Sequence, residues 1–403
     1  MIKPTTYSLS VALAAAMGTL PLSGAYATSQ PQQDFVSPFL YTSPTNSTPT
    51  DQYSDFGLQG IKGGDTAGTY LITGTTNYNG VTHGAVYSGP INHGFSGYGS
   101  GTGTWTIMDV PVSNSTGTSV YGVDNLGNGT VNLVGSYIDT TNNQRVGFYY
   151  AGPLTSSPSS SSFIYYSGQN QAGKTATFTY IHSVSGGLAV GNYDFLGDGN
   201  PAGNAFIFAP YATQQQINII YPDTDKTHTA YGIWYNGGTS YTIAGGVGLS
   251  SATIDNGYGE PLGQAYLIDY DSSQTGEAAF SNYQTFSYKA SGALKKRFKH
   301  KTLVTHFEGI WTNGNGLYKM PATVTALDDT TLAVGVTAQV RRNKASGKFA
   351  KKATWTPINV PNGGFWTSDS IYDTASVGLV TYPAANGAPS FMSDYAVIPV
   401  QTQ

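Results

Sequence analysis

An internal repeat constrains the fold of this chain more than any other feature. Four copies carry an apolar segment that ends in glycine, followed after a polar turn by a second apolar segment, and their anchoring glycines are Gly74, Gly135, Gly191 and Gly245. Successive glycines are 61, 56 and 54 residues apart. A repeat of nearly constant length predicts units that pack on one another, because a single unit cannot bury both of its faces.

Each unit is predicted to contain about four short strands separated by Gly, Asn, Asp and Pro turns. The copy at Gly135 has apolar segments at 121–123, 132–137 and 146–153. Segments 307–310 and 332–335 indicate a fifth unit, and a sixth is expected around 377–380. The composition agrees, since 30 Tyr and 51 Gly favour strands and tight turns, and only 10% charged residues excludes a coiled coil.

The expected fold class is therefore all-β, as a β-propeller of about six four-stranded blades. Seven blades and a multi-sheet β-sandwich array stay open as alternatives, because closure of a ring is not visible in a sequence. A closed ring would protect the edge strands of its sheets. The segment 28–58 is expected to precede the repeat domain at 59–403 and to complete the last blade with residues 34–41.

The first 27 residues have the pattern of a secretory signal peptide. Lys3 precedes an apolar stretch at 9–22, and Ala25 and Ala27 form an A-x-A cleavage site, so the mature chain is expected to begin at Thr28. There is no Cys, so neither disulfides nor a lipid-anchored thiol is available. No later segment has 18 uninterrupted apolar residues, and no transmembrane segment is predicted. The expected location is extracellular or at a bacterial cell surface, with the periplasm as an alternative.

The repeat resembles the bacterial extracellular HAF-type repeat, in which an apolar strand of the form GxIVGxY precedes an HGFLY segment. Residues 133–137 with 147–150, and 71–74 with 83–87, carry this resemblance, which covers about residues 59–270. It implies an exported, propeller-like protein and no particular activity.

No catalytic residue is predicted. There is no GxSxG serine motif and no HExxH or HxxxH pair. Aligning the units on residues 231–233 sets His182 opposite Ile233, which predicts that the histidines form no ring of equivalent positions. Glu277, Glu308 and Glu260 leave open a glycosidase or lyase site in a central cavity, since such chemistry needs two carboxylates that face one cleft.

Two turns rich in acid and glycine are the only candidate metal sites. They contain Asp124, and Asp194 with Asp198. Calcium prefers such oxygen ligands, but an ordinary hairpin turn uses the same residues for positive φ angles and is the favoured interpretation. The prediction is no cofactor, with calcium as the possible exception.

Charge is strongly asymmetric along the mature chain. Residues 28–288 have 4 basic and 16 acidic residues, whereas residues 289–403 have 13 basic and 6 acidic residues. Twelve of those basic residues fall in two runs, at 289–301 and 341–352. The residues predicted to bind a polyanion are Lys295, Lys296, Arg297, Lys299, Arg341, Arg342, Lys344 and Lys351.

These features favour a secreted, non-enzymatic binding or adhesion protein. Its expected partner is a polysaccharide or another surface polyanion, held by aromatic loop residues and by the basic patch. A solvated basic loop that only balances an acidic chain is the alternative for the patch. Specific nucleic-acid binding is not expected, because no nucleic-acid module is present. A carbohydrate-active enzyme and a purely structural surface protein are the alternative functions. The sequence leaves the oligomeric state open.

Overall fold

The computed structural model describes residues 54–78, 81–91, 103–170, 172–195, 204–222, 227–248, 263–301, 303–326, 329–358, 365–382 and 392–399. The expected signal peptide and the expected strand at 34–41 lie outside these residues. Within them, no helix is long and apolar enough to cross a membrane.

The described chain is all-β and forms several sheets, which confirms the expected class. Their strands pair antiparallel, apart from the parallel pairs of Arg145 with Phe178 and of Asn204 with His228 in the largest sheet. We group the strands of the chain into six units. Unit 1 contains β1 (Ser54–Gly63), β2 (Thr69–Tyr78), β3 (Val81–Pro90) and β4 (Thr104–Ile107). Unit 2 contains β5 (Ser115–Gly127), β6 (Thr130–Asp139), β7 (Gln144–Pro153) and β8 (Phe163–Tyr166). Unit 3 contains β9 (Phe178–Ser185), β10 (Leu188–Asp194), β11 (Asn204–Phe208) and β12 (Gln216–Asn218).

Unit 4 contains β13 (His228–Gly237), β14 (Ser240–Gly248), β15 (Gly263–Asp271) and β16 (Phe280–Phe286). Unit 5 contains β17 (Leu303–Phe307), β18 (Trp311–Thr312), β19 (Leu317–Ala326), β20 (Asp329–Arg341) and β21 (Thr354–Pro357). Unit 6 contains β22 (Phe365–Tyr372), β23 (Ala375–Tyr382) and β24 (Met392–Pro399). An α-helix (Gly292–Arg297) and two 3-10 helices (Ser160–Ser162 and Gly276–Ala279) complete the described elements.

Within each unit, consecutive strands pair in antiparallel fashion, except that β17 and β18 of unit 5 both pair with β19. The first strand of a unit packs on the preceding unit: β5 contacts β1, β2 and β3, β9 contacts β5, β6 and β7, and β13 contacts β9, β10 and β11. The series continues with β17 on β14 and β15, and with β22 on β19 and β20. Finally, β1 contacts β22, β23 and β24, so the sixth unit also meets the first.

The hydrophobic cores lie between neighbouring units. One cluster joins Leu71 of unit 1 to Leu133 of unit 2, and another joins Leu267 of unit 4 to Phe307 of unit 5. Further clusters join unit 2 to unit 3, unit 3 to unit 4, unit 5 to unit 6, and unit 6 to unit 1. Burial of apolar side chains therefore holds each described unit against two neighbours.

The fifth unit differs from the sequence interpretation. In unit 2 the segment that ends in the anchoring glycine lies in the second strand, whereas segment 332–335 lies in β20, where Gly335 pairs with Thr323 of β19. In β19, Ala322 pairs with Phe307, which is the position at which Gly135 pairs with Val120 in unit 2. The glycine pattern thus points to the wrong strand in this unit.

A β-bulge in the first strand explains the anchoring glycines. In unit 2, Val120 pairs with Gly135 and Gly122 with Val134, so Tyr121 is the extra residue. A Cβ atom at Gly135 would lie 1.9 Å from the carbonyl oxygen of Ser119, and one at Gly245 would lie 1.9 Å from that of Thr229. In units 2 and 4 the bulge brings the backbone so close that only glycine fits opposite it.

Candidate functional site

An extra residue occurs at this point in all six units, as a bulge in five of them and at the break between β17 and β18 in unit 5. These six residues, which we call the axial residues, are Gln59, Tyr121, His182, Tyr231, Glu308 and Asp369. They line one narrow cavity of about 30 Å³. Each is followed by Gly or Ser, and the small residue permits close approach of neighbouring strands: a Cβ atom at Gly122 would lie 2.7 Å from the carbonyl oxygen of His182.

Around this cavity, each of several side chains contacts the next one in space. The ring of His182 lies 5.4 Å from that of Tyr121 and 4.8 Å from that of Tyr231, measured between centroids. Tyr231 in turn lies 5.4 Å from the ring of His306. The Nε2 atom of His306 lies 2.5 Å from the Oε1 atom of Glu308. The cavity wall therefore carries aromatic, imidazole and carboxylate groups in contact.

Burial changes the protonation of two axial residues. It lowers the pKa of His182 to about 3, so this imidazole is neutral at neutral pH. Burial, assisted by the negative charge of Glu308, raises the pKa of Asp369 well above its usual value. The Oδ2 atom of Asp369 is buried and has no hydrogen-bond partner among the described residues. A carboxyl group whose pKa is raised in a cavity is typical of functional sites.

The sequence alignment of His182 was wrong by two residues. It set His182 opposite Ile233, whereas the structure places it opposite Tyr231, as an axial residue. The available signal was a short recurring triplet, in which any residue precedes Gly or Ser and then Ile or Val. It occurs at 59–61, 121–123, 182–184, 231–233, 308–310 and 369–371.

Of the predicted metal ligands, Asp124 and Asp194 lie among the described residues. Asp124 lies 3.2 Å from the Nζ atom of Lys62 and accepts a hydrogen bond from the Gly186 N–H, so it ties units 1 and 3 to unit 2. Its turn is the β5–β6 hairpin, with Asn128 at a φ of 54°. Asp194 ends β10, and Asp198 lies outside the described residues. In the described part of the chain, no three His, Cys, Asp or Glu side chains are placed to hold a metal ion together.

One basic run lies at the border of units 4 and 5, and the other lies within unit 5. The run at 289–301 lies between β16 and β17, and that at 341–352 lies between β20 and β21. One hydrophobic cluster contains Leu294 and Phe298 from the first region and Phe349 from the second. The exposed members of the predicted set are Lys295, Lys296, Lys299, Arg341, Lys344 and Lys351. Arg297 is half-buried beside the ring of Phe298, 5.7 Å from its centroid.

Arg342 has an internal role. Its Nη1 and Nη2 atoms each donate a 2.6 Å hydrogen bond to a carboxylate oxygen of Asp269 in unit 4. Its guanidinium lies 4.3 Å from the centroid of the Phe349 ring and also donates to Thr242. This bidentate pair joins units 4 and 5, so we leave Arg342 out of the candidate binding surface.

A groove of about 740 Å³ lies beside this pair, at the border of units 4 and 5. Polar and aromatic side chains that line it include Glu277, Phe280, Asn282, Tyr283, Lys348 and Lys351. Phe280 and Tyr283 are half-buried, and both lysines are exposed. The volume suits one or two sugar rings or a similar small ligand.

The groove joins three kinds of recognition group. Phe280 and Tyr283 offer apolar faces, Asn282 and Gln284 are amides, and Lys348 with Lys351 supplies positive charge. The amide nitrogen of Asn282 donates a 2.7 Å hydrogen bond to Asp269 Oδ2, which fixes its orientation. The carboxylate of Asp269 therefore organises both Arg342 and the groove wall. The sequence predicted Lys351 as a ligand contact, but the aromatic residues beside it were not predicted.

No family model matches this chain, and no curated protein matches it. Among solved structures, the chain is similar to the crystal structure of the N-terminal domain of Nup159, with 7% sequence identity and a TM-score of 0.28. That similarity covers 81% of this chain and 71% of the other chain. A TM-score this low carries no argument about fold or function.

Proposed function

We propose that the six units close into a six-bladed β-propeller whose axis is the cavity lined by the axial residues. The support is the contact of β1 with β22, β23 and β24, together with a hydrophobic cluster that joins Leu58 of unit 1 to Val377 of unit 6. Closure in this way would leave no unit with an unpacked face. Residues 34–41 remain a prediction for the outer strand of unit 6.

The function we propose is that of an exported, non-enzymatic binding or adhesion protein for acidic polysaccharide. The groove at the border of units 4 and 5 is its proposed glycan site. The observation that carries the proposal is that half-exposed aromatic rings, amide groups and two lysines share one groove. Aromatic faces bind the apolar faces of sugars, amides bind hydroxyl groups, and lysines attract the acidic groups.

Binding of the mature protein to neutral and acidic glycans, measured over a series of salt concentrations, tests this proposal. We expect acidic glycans to bind with an affinity that falls with salt. Replacing Lys348 and Lys351 together by Ala should weaken binding about tenfold, which corresponds to roughly 1.4 kcal/mol. The matched control replaces Lys295 and Lys296 by Ala, which removes the same charge from the basic patch outside the groove.

Equal losses in both double variants would contradict the groove and favour general attraction by the whole patch. Strong binding to neutral glycans that ignores salt would instead assign the site to Phe280 and Tyr283 without the lysines. An absence of binding to any glycan would contradict the proposed function itself.

A carbohydrate-active enzyme is the second candidate, and one observation favours it. Glu308 and Asp369 are carboxyl groups that line one cavity, and burial raises the pKa of Asp369, as is typical of the acid in an acid and base pair. A cavity of about 30 Å³ is nevertheless much smaller than a sugar ring, which places this candidate second. Release of reducing ends or unsaturated sugars from polysaccharide, abolished by Glu308→Gln, would establish it.

A further inference from the structure

The carboxylate of Asp369 is the least satisfied polar group of the axial cavity. Its Oδ2 atom is buried and finds no hydrogen-bond donor among the described residues. A buried oxygen without a partner is costly, and native structures usually supply such an oxygen with a donor, an ordered water or an ion. The position therefore points to a group that the protein chain itself does not provide.

The charges around the cavity support the same conclusion. The titratable groups that line it are Lys62, Tyr121, His182, Tyr231, Glu308 and Asp369. Lys62 is paired with Asp124 at 3.2 Å, and Glu308 with His306. Among the described residues, Asp369 has no comparable partner. Asp369 is therefore the lining carboxyl group that the described chain leaves without an ion pair.

The size and the walls of the cavity restrict the partner further. A volume of about 30 Å³ has room for roughly one or two water-sized groups. Carboxylate oxygens are ligands for hard inorganic cations. The aromatic rings of Tyr121 and Tyr231 additionally suit an ammonium group, because aromatic faces attract cations.

We propose that the axial cavity binds one small cation, with the carboxylate of Asp369 as its main contact and Glu308 as the second. The cation is a free inorganic ion or the ammonium head of a primary amine, since both present the same compact positive charge. This site is separate from the groove and does not rest on the proposed glycan binding.

Thermal unfolding of the mature protein at neutral pH tests the site. The reference solution contains choline chloride, whose cation is too large for the cavity, and sodium, calcium, ammonium or methylammonium chloride replaces it at equal ionic strength. We expect Tm to rise with the logarithm of concentration for at least one small cation, because a ligand of the folded state stabilises that state. A response to methylammonium as well as ammonium would identify an amine head, and a response to sodium or calcium a free ion.

Asp369→Asn keeps the shape of the side chain and should abolish the rise in Tm. The matched control is Glu277→Gln, which removes one acidic charge from the exposed groove and should keep the full response. If Asp369→Asn does not fold, Glu308→Gln should still weaken the response. Equal Tm values in all salts, or a response that survives in Asp369→Asn, would overturn the proposal. An Asp369→Asn protein that is more stable while wild type ignores every cation would show that the carboxyl group holds a proton instead.

Discussion

The groove and the axial cavity both combine aromatic rings with charged side chains, but they differ in solvent access. In the groove, Lys348, Lys351 and Glu277 are exposed and can exchange partners with little effect on folding. In the cavity, His182 and Asp369 have pKa values changed by burial, so their protonation is tied to the folded state. The same residue types therefore suit reversible, salt-sensitive contacts in one region and control stability in the other.

Arg342 is expected to show the largest effect, because it lies beside the groove but is half-buried and paired with Asp269. Arg342→Ala leaves Asp269 partly buried without its bidentate partner, and we expect a loss of about 3 kcal/mol in the free energy of unfolding. Its exposed neighbour provides the control: Arg341→Ala should change stability by less than about 0.5 kcal/mol.

Urea denaturation of both arginine variants, compared with wild type, measures these changes. Equal small losses would mean that Arg342 behaves as a surface residue. The proposed contrast between the exposed Arg341 and the internally paired Arg342 would then be wrong.

The next effect in size concerns pH and the cavity. The pKa of His182 is about 3 in the folded state against 6.5 as its ordinary value, so between these values the unfolded chain binds more protons. Stability should therefore fall as pH decreases below 6.5, by about 1 to 2 kcal/mol at pH 4.5 after allowance for the partial exposure of the ring.

His182→Gln should remove this part of the pH dependence, as measured by urea denaturation at several pH values. His300→Asn is the control, because His300 is exposed and its φ of 62° is one that Asn tolerates. A wild-type profile unchanged by His182→Gln would mean that the imidazole is not held neutral by burial. Asp369 has the opposite effect on the pH dependence of stability. Because folding raises the pKa of this acid, its contribution makes the folded state less stable as pH rises.

The sequence predicts features that depend on local backbone geometry, and it misses those that depend on contacts between units. The glycines at 74, 135, 191 and 245 predict the repeat because each faces a bulge that admits no side chain. Their pattern fails in unit 5, where Ala322 takes that place. The axial residues escape prediction because their chemical types differ from unit to unit, although the following Gly or Ser recurs. The groove forms where β16 of unit 4 meets the connection between β20 and β21 of unit 5, and local sequence carries no signal for that contact.

The smallest effect on stability is expected in the groove itself. Replacing Lys348 and Lys351 by Ala removes two exposed charges, so the free energy of unfolding should change by less than about 0.5 kcal/mol for each. The double variant should also bind acidic glycan with a weaker salt dependence than wild type, because fewer charges are neutralised on binding. Urea denaturation and binding at two salt concentrations measure both quantities on one sample. A large loss of stability would show that these lysines are internal contacts like Arg342. An unchanged salt dependence would assign the attraction to the remaining lysines of the patch, because the charge that steers an acidic glycan would then lie outside the groove.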